Sequence, residues 1–321
     1  MTKQNRQGQT RASLLGLFCL VIGGLFLWKY QPWLQSGNPA RTLVRSQPIP
    51  QPAMIRYQQI VLEKSLVHVV KIPASESLII SPIIAPTNLQ KVETLVQERN
   101  GSSDSTAKVI AAINGGFFDP NNQQTTSYII KNGKVLLDPS ENTRLVDNPD
   151  LSTYMPQILD RSEFRRYQCG AGEKSTIRYA IAPRNESPPA NCQTIEALGA
   201  GPALLPQERG EEEAFIDDSV NRDALGSQYP NARSAVGITA EGEVIFVMAA
   251  QVSDIDGPSG LTLPELAKVM KSLDVQEGLN LDGGSSSSLY YQSEIHYGRL
   301  NSQQSRIERP VKSILAVLSK Q

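Results

Sequence analysis

Asp282 closes the run Gly278-Leu279-Asn280-Leu281-Asp282 and is followed by Gly283, Gly284 and four hydroxyls, Ser285 to Ser288. Leu279 and Leu281 alternate with Asn280, the period of a half-buried strand, and the paired glycines free the backbone for a sharp turn. The pattern sets a carboxylate at a strand end beside N–H and O–H donors that can converge on a sugar hydroxyl, a phosphate or a metal ion. A solvated hairpin loop is the plainer account of the same residues, because Asp-Gly is a strong turn dipeptide. The design recurs upstream, where the apolar run Val109 to Ile113 delivers Asn114-Gly115-Gly116-Phe117-Phe118. A buried amide at such a turn either braces the loop or contacts a ligand, and the two phenylalanines read as core. Arg233, in Asn231-Ala232-Arg233-Ser234, opens a third strand among small residues. It reads as a surface ion pair or as a fork for an anion.

The elements that must position these groups are mostly strands. Residues 57–72 alternate apolar and polar positions and predict two strands or one long bent one, and 77–84 predicts another. Thr87 or Asn88 is the expected cap of a helix ending near Asn100-Gly101. Asn132-Gly133 predicts a tight hairpin, and Glu241-Gly242 joins the Arg233 strand to the apolar run Val244 to Ala249. Thr262 caps a helix with Pro264 in its first turn and Leu266, Val269, Met270 and Leu273 on its buried face, leading directly into the Asp282 strand. Residues 307–318 end the chain in strand-like spacing. Residues 139–194 read as loop-rich, with Phe164-Arg165-Arg166-Tyr167 as a solvated basic and aromatic face. Glu211 to Glu213 and Asp217-Asp218 read as solvated acid. The predicted class is α+β: a strand-rich mixed sheet core with a few packing helices, in a single domain.

Lys+Arg 31 against Asp+Glu 32, a formal charge of -1, leaves no global basic field and excludes nucleic acid as the expected partner. With 40% hydrophobic residues the 321-residue chain can bury a large core. Lys3, Arg6 and Arg11 precede an uncharged apolar stretch from Ala12 to Trp28, the pattern of an export segment. Trp28, Tyr30 and Trp33 form an aromatic belt and no small-residue processing site follows, so residues 1–30 read as an uncleaved membrane anchor, with a cleaved signal peptide as the alternative. Residues 31–54, with six prolines and glycines, form a tether, and residues 55–321 the folded domain. That domain is expected to face the periplasm or the extracellular space, or to be secreted. In such an oxidising space Cys169 and Cys192 read as a disulfide, and without neighbouring histidines they supply too few ligands for a metal. His68 and His296 are the only histidines and read as structural, which disfavours a His-based triad, and no Gly-x-Ser-x-Gly elbow is present.

The runs AAINGGFFDP, GAGPALL, NARSAVGI, GLTLPELAKVMKSL and LNLDGGSSSSLY, in this order, resemble the phosphodiester glycosidase family over most of residues 55–320. The resemblance implies a hydrolase that cleaves a sugar from a sugar-1-phosphodiester. It implies that Asn114, Gly115, Arg233, Asp282, Gly283, Gly284 and Ser286 line the site; Asp282, Arg233 and Asn114 are the expected catalytic residues, and Gly115, Gly116, Gly283, Gly284, Ser285 and Ser286 the expected substrate-binding ones. The implied partner is a carbohydrate phosphodiester or an envelope glycan, and the alternative is a non-catalytic envelope protein that binds phosphoglycan or assists exopolysaccharide assembly. No cofactor is implied, although Asp282 with Asp254 or Asp256 would suit a divalent cation. Two positions depart from the family pattern. Ser285 stands where a third glycine is usual, which predicts strain if that position needs positive φ, and Asn231-Ala232 replaces a frequent His-Pro.

Overall fold

The computed structural model describes residues 54–103, 107–253 and 255–320. The expected anchor and nearly all of the tether lie outside the described residues, as does Asp254. Among the described residues no helix is long and apolar enough to cross a membrane.

Strands dominate, as predicted. The largest sheet takes the order β1-β2-β14-β13-β15-β10, from β1 (Arg56–Leu62), β2 (Ser65–Ile72), β14 (Val244–Gln251), β13 (Arg233–Thr239), β15 (Val275–Asn280) and β10 (Ala203–Leu205). A second sheet, β17-β16-β4-β18-β3, joins β17 (Glu294–Tyr297), β16 (Ser288–Tyr291), β4 (Ala107–Asn114), β18 (Ser313–Lys320) and β3 (Leu78–Ile84). The third runs β6-β5-β9-β7-β8, from β6 (Lys134–Leu137), β5 (Ile129–Lys131), β9 (Cys192–Gly199), β7 (Ser162–Cys169) and β8 (Thr176–Pro183). A small ribbon pairs β11 (Ile216–Asp217) with β12 (Arg222–Asp223). The helices are α1 (Val92–Gly101), the short α2 (Thr143–Val146) and α3 (Met155–Leu159), and α4 (Leu263–Ser272).

The main core lies between the first sheet and the other two. Val236, Phe246 and Leu279 from one side meet Ile113, Leu198 and Leu315 from the other. The outer face of the first sheet is closed by α4, through Leu263, Leu266 and Met270, and the outer face of the second by α1, through Leu95 and Val96. Strands buried on both faces need no alternation, which is why β13 and β14 read as near-continuous apolar runs. Antiparallel pairing explains how residues far apart in sequence meet. Ala235 opposes Asn280, so the start of β13, at Arg233, lies beside the chain as it leaves β15 toward Asp282.

Several local expectations hold. Asn132 and Gly133 both take positive φ, 52° and 72°, as a two-residue hairpin turn requires. Thr262 and Glu265 complete a capping box at α4. Cys169 and Cys192 are opposed across β7 and β9 and form a disulfide. The two histidine rings stack with centroids 4.3 Å apart, and the Tyr57 hydroxyl lies 2.7 Å from His68 Nδ1 and 3.2 Å from His296 Nε2, the latter tying β1 to the second sheet.

Four expectations are corrected. Helix α1 begins at Val92, after Lys91, and not at a Thr87 or Asn88 cap. The backbone of Gln90 is instead paired with Val311, 3.1 Å and 2.8 Å in the two directions, which holds the chain extended until that point. Residues 139–194 are not loop-rich, because they contain β7 and β8. Phe164, Arg165 and Tyr167 are buried at 2% exposure each, not solvated, and Glu213 is buried with them at 1%. Charged residues inside β7 broke the hydrophobic alternation that would have announced a strand.

Candidate active site

Asp282 sits just past β15, in a turn fixed from below. Its N–H donates to Gly115 O at 3.1 Å, and its own C=O accepts from Asn114 Nδ2 at 2.6 Å. Asn114 is fully buried and its Oδ1 accepts from Ser234 Oγ at 2.7 Å and from the Ser288 N–H at 3.1 Å. One amide therefore ties β4, β13 and β16 to the Asp282 turn. Gly115 and Gly116 serve close approach: an added Cβ would fall 2.2 Å from Ser313 Oγ at the first and 2.0 Å from Gly199 O at the second. Asn114, Gly115 and Gly116 form the floor plate beneath the site and do not line its cavity.

The cavity above has a volume of about 260 Å³. Asp282, Gly283, Gly284, Ser285, Ser286 and Arg233 all line it, so the far-separated Arg233 and Asp282 do face a common space. Gly284 takes φ 60°, the left-handed turn that favours glycine, whereas Ser285 is not among the residues with positive φ. The strain expected at Ser285 is absent.

Arg233 is 3% exposed and donates to four main-chain carbonyls: Nε to Leu261 O, Nη1 to Leu225 O, and Nη2 to Gly226 O and Tyr229 O. Four of its five N–H donors are committed to holding the loop over the cavity rather than to a bidentate fork. Two other arginines face the same space, Arg299 and Arg309, and the sequence reading missed both. Among the described residues neither forms an ion pair. Arg309 Nη1 donates to Ser285 Oγ at 3.1 Å while its guanidinium lies 5.5 Å from the Phe118 ring centroid. Arg299 Nη1 lies against the Gly284 backbone, 3.2 Å from where a Cβ would be. A signal was present in the sequence, since Arg299, Arg306 and Arg309 crowd one loop. Arg306 is the one spent on structure there, donating to Gln251 O and Gly298 O. Phe117 and Phe118, read as core, also line the cavity, with Phe118 buried.

Burial raises the Asp282 pKa to about 6, against the opposing pull of hydrogen bonding from Ser286, the charge of Arg309 and the Gly283 N–H. Such a carboxylate changes charge near neutral pH. Burial also lowers the Arg233 pKa to about 10, with Asp223 acting in the opposite direction, and it stays charged at neutral pH. Among the described residues no three His, Cys, Asp or Glu side chains gather as a metal cluster, and Asp256 is exposed away from the cavity lining. One carboxylate facing two guanidiniums is a donor set that suits an anion.

A strand-rich α+β domain thus carries a carboxylate and three arginines, Arg233, Arg299 and Arg309, in one cleft. A family model for phosphodiester glycosidases matches residues 107–318, well over half of the chain, and the chain belongs to that family of enzymes. The catalytic domain of a zebrafish N-acetylglucosamine-1-phosphodiester alpha-N-acetylglucosaminidase, auto-inhibited by its pro-peptide, is similar in fold, with TM-score 0.58 at 18% identity over 82% of this chain and 82% of that one. A hypothetical protein from Synechocystis is similar too, with TM-score 0.53 at 17% identity over 83% of this chain and 62% of that one. The chain thus spans less than two thirds of the length of the Synechocystis protein. No curated protein matches in sequence.

Proposed function

We propose that the protein is an exported hydrolase that cleaves the glycosidic bond of a sugar-1-phosphodiester. One observation carries this reading: two guanidiniums free of ion pairs, Arg299 and Arg309, share a cavity with Asp282, whose pKa is raised to about 6. The phosphodiester anion sits between Arg299 and Arg309, with Ser285 Oγ beside it. Arg233 holds the covering loop and adds a fixed positive charge behind the anion. When the bond from the anomeric carbon to the phosphate oxygen breaks, the electron pair leaves on a phosphate that is already a stabilised anion. Less proton donation is needed than for an ordinary glycoside, and a single carboxylate suffices. Ionised Asp282 faces the anomeric carbon and stabilises its oxocarbenium character. Retained configuration in the released sugar would mean that the carboxylate attacks, and inverted configuration that it orients water. No step is routed through a metal, so activity is expected to survive exhaustive chelation.

The Cys169–Cys192 disulfide supports export, because such bridges persist in oxidising compartments. With the apolar segment 12–28 as a membrane anchor, the catalytic domain faces the periplasm or the extracellular space and acts on a carbohydrate phosphodiester of an envelope glycan. The alternative, a non-catalytic envelope protein that binds phosphoglycan, predicts ligand binding without release of sugar, and the Ser285 departure that favours it carries no positive φ.

The test incubates the full-length protein in detergent with a panel of sugar-1-phosphodiesters and nucleotide sugars and measures free reducing sugar. Wild type releases sugar from at least one, and Asp282→Asn, folded, is slower by about 10³-fold or more. Unchanged hydrolysis by the folded variant would remove Asp282 from the mechanism.

A further inference from the structure

Asn280 lies two residues before Asp282 and lines the same cavity, yet it is 2% exposed. Its main chain is fully engaged, with the N–H donating to Pro202 O and the C=O accepting from Gly201 N, both at 3.0 Å. Its side chain donates through Nδ2 to Gly201 O at 2.7 Å. A carbonyl can only accept, so the amide branch facing Gly201 must be the NH₂, and this fixes the other branch as the oxygen. That oxygen, Oδ1, is buried with no hydrogen-bond partner among the described residues. Gly201 is not part of the cavity wall, so the NH₂ branch is held by a residue outside it, while Asn280 itself lines the cavity and carries the orphaned acceptor on its other branch. A buried acceptor without a donor is costly, and most such atoms in folded proteins are satisfied.

We infer that Asn280 Oδ1 is the sugar-reading acceptor of this site: it takes a hydrogen bond from one hydroxyl or amide N–H on the sugar ring. The inference rests on the hydrolase reading for the ring's position, with the anomeric carbon at Asp282. Among the described residues no donor is placed on Oδ1, and a ring substituent can supply one. Asp282 in its ionised form only accepts, and the guanidiniums are placed for the phosphate. An acceptor built this way discriminates sharply, because a sugar missing that one donor leaves Oδ1 unpaired again.

The full-length protein is titrated calorimetrically with glucose 1-phosphate, N-acetylglucosamine 1-phosphate and the singly deoxygenated forms of glucose 1-phosphate. The methyl phosphodiesters of the same sugars are assayed for turnover. Loss of one particular donor is expected to weaken binding and kcat/KM about 10- to 100-fold in wild type. In Asn280→Ala that penalty is expected to fall to within about 3-fold of unity, while penalties at other ring positions persist. A merely structural role would lower all sugars equally and leave the selectivity intact. A flat deoxy panel in wild type overturns the inference, and so does an unchanged penalty in Asn280→Ala. Should that variant not fold, a crystal structure of wild type with the preferred sugar 1-phosphate decides, by whether a ring donor lies within hydrogen-bonding distance of Oδ1. A position-specific binding penalty without sugar release sinks the hydrolase reading and leaves Asn280 its role. Sugar release with a flat panel sinks only the role of Asn280, and failure of every probe to bind sinks both.

Discussion

Arg165 in the third sheet and Arg309 beside Asp282 are the same residue type put to opposite uses. Arg165 is 2% exposed and spends all five N–H donors, on Glu163, Tyr167 and the carbonyls of Pro183, Arg184 and Glu186. Among the described residues Arg309 makes one side-chain hydrogen bond, to Ser285, and no ion pair. A guanidinium with every donor committed fixes backbone, and one with donors to spare can bind an anion from solution. Arg233 stands between them, with four donors committed and a face on the cavity. Along this series the number of committed donors falls from five to four to one.

The comparison can be broken from the structural side first. Arg165→Met leaves Glu163 buried with only Arg184 near it, and is expected to cost about 3–5 kcal/mol of stability by chemical denaturation, with turnover per folded molecule unchanged. Replacing both Cys169 and Cys192 by Ser opens a bridge across 23 residues and is expected to cost about 3 kcal/mol, again without changing turnover. From the functional side, Arg309→Gln is expected to leave stability within about 0.5 kcal/mol while lowering kcat/KM about 100-fold. If Arg309→Gln instead unfolds the protein, the division between the two arginines fails.

Proton linkage sharpens the same contrast. Asp282 is raised, so the folded state disfavours its charged form. That cost is absent at low pH and grows as pH climbs from the ordinary carboxylate range through about 6. Asp282→Asn is therefore expected to melt at a higher temperature than wild type at pH 8, with the gap closing below pH 4. Because the mechanism needs Asp282 ionised, kcat/KM should rise with pH through about 6, and because Arg309 holds that pKa down, Arg309→Gln should move the limb to higher pH.

The Asp282 turn, the hairpin at Asn132-Gly133 and the capped helix α4 were legible because each rests on local chemistry: glycine conformational freedom and side-chain caps. Strand β7 was not, because Glu163 and Arg165 occupy interior positions that only tertiary partners make tolerable. Asn114 could be placed at the site but not given its task. Whether an amide braces or binds depends on partners such as Ser234 and Ser288, over a hundred positions away. Arg299 and Arg309 belong to no local motif, and only the folded chain brings them into one cavity with Asp282.

The most direct test of the account is where the oxygen goes. Hydrolysis of a cleaved sugar-1-phosphodiester in ¹⁸O-labelled water should place the label on the anomeric carbon of the released sugar, because Asp282 acts there and the phosphate merely leaves. Label appearing in the phosphate would mean that the arginines activate phosphorus for attack, and would contradict a glycosidase mechanism at this site.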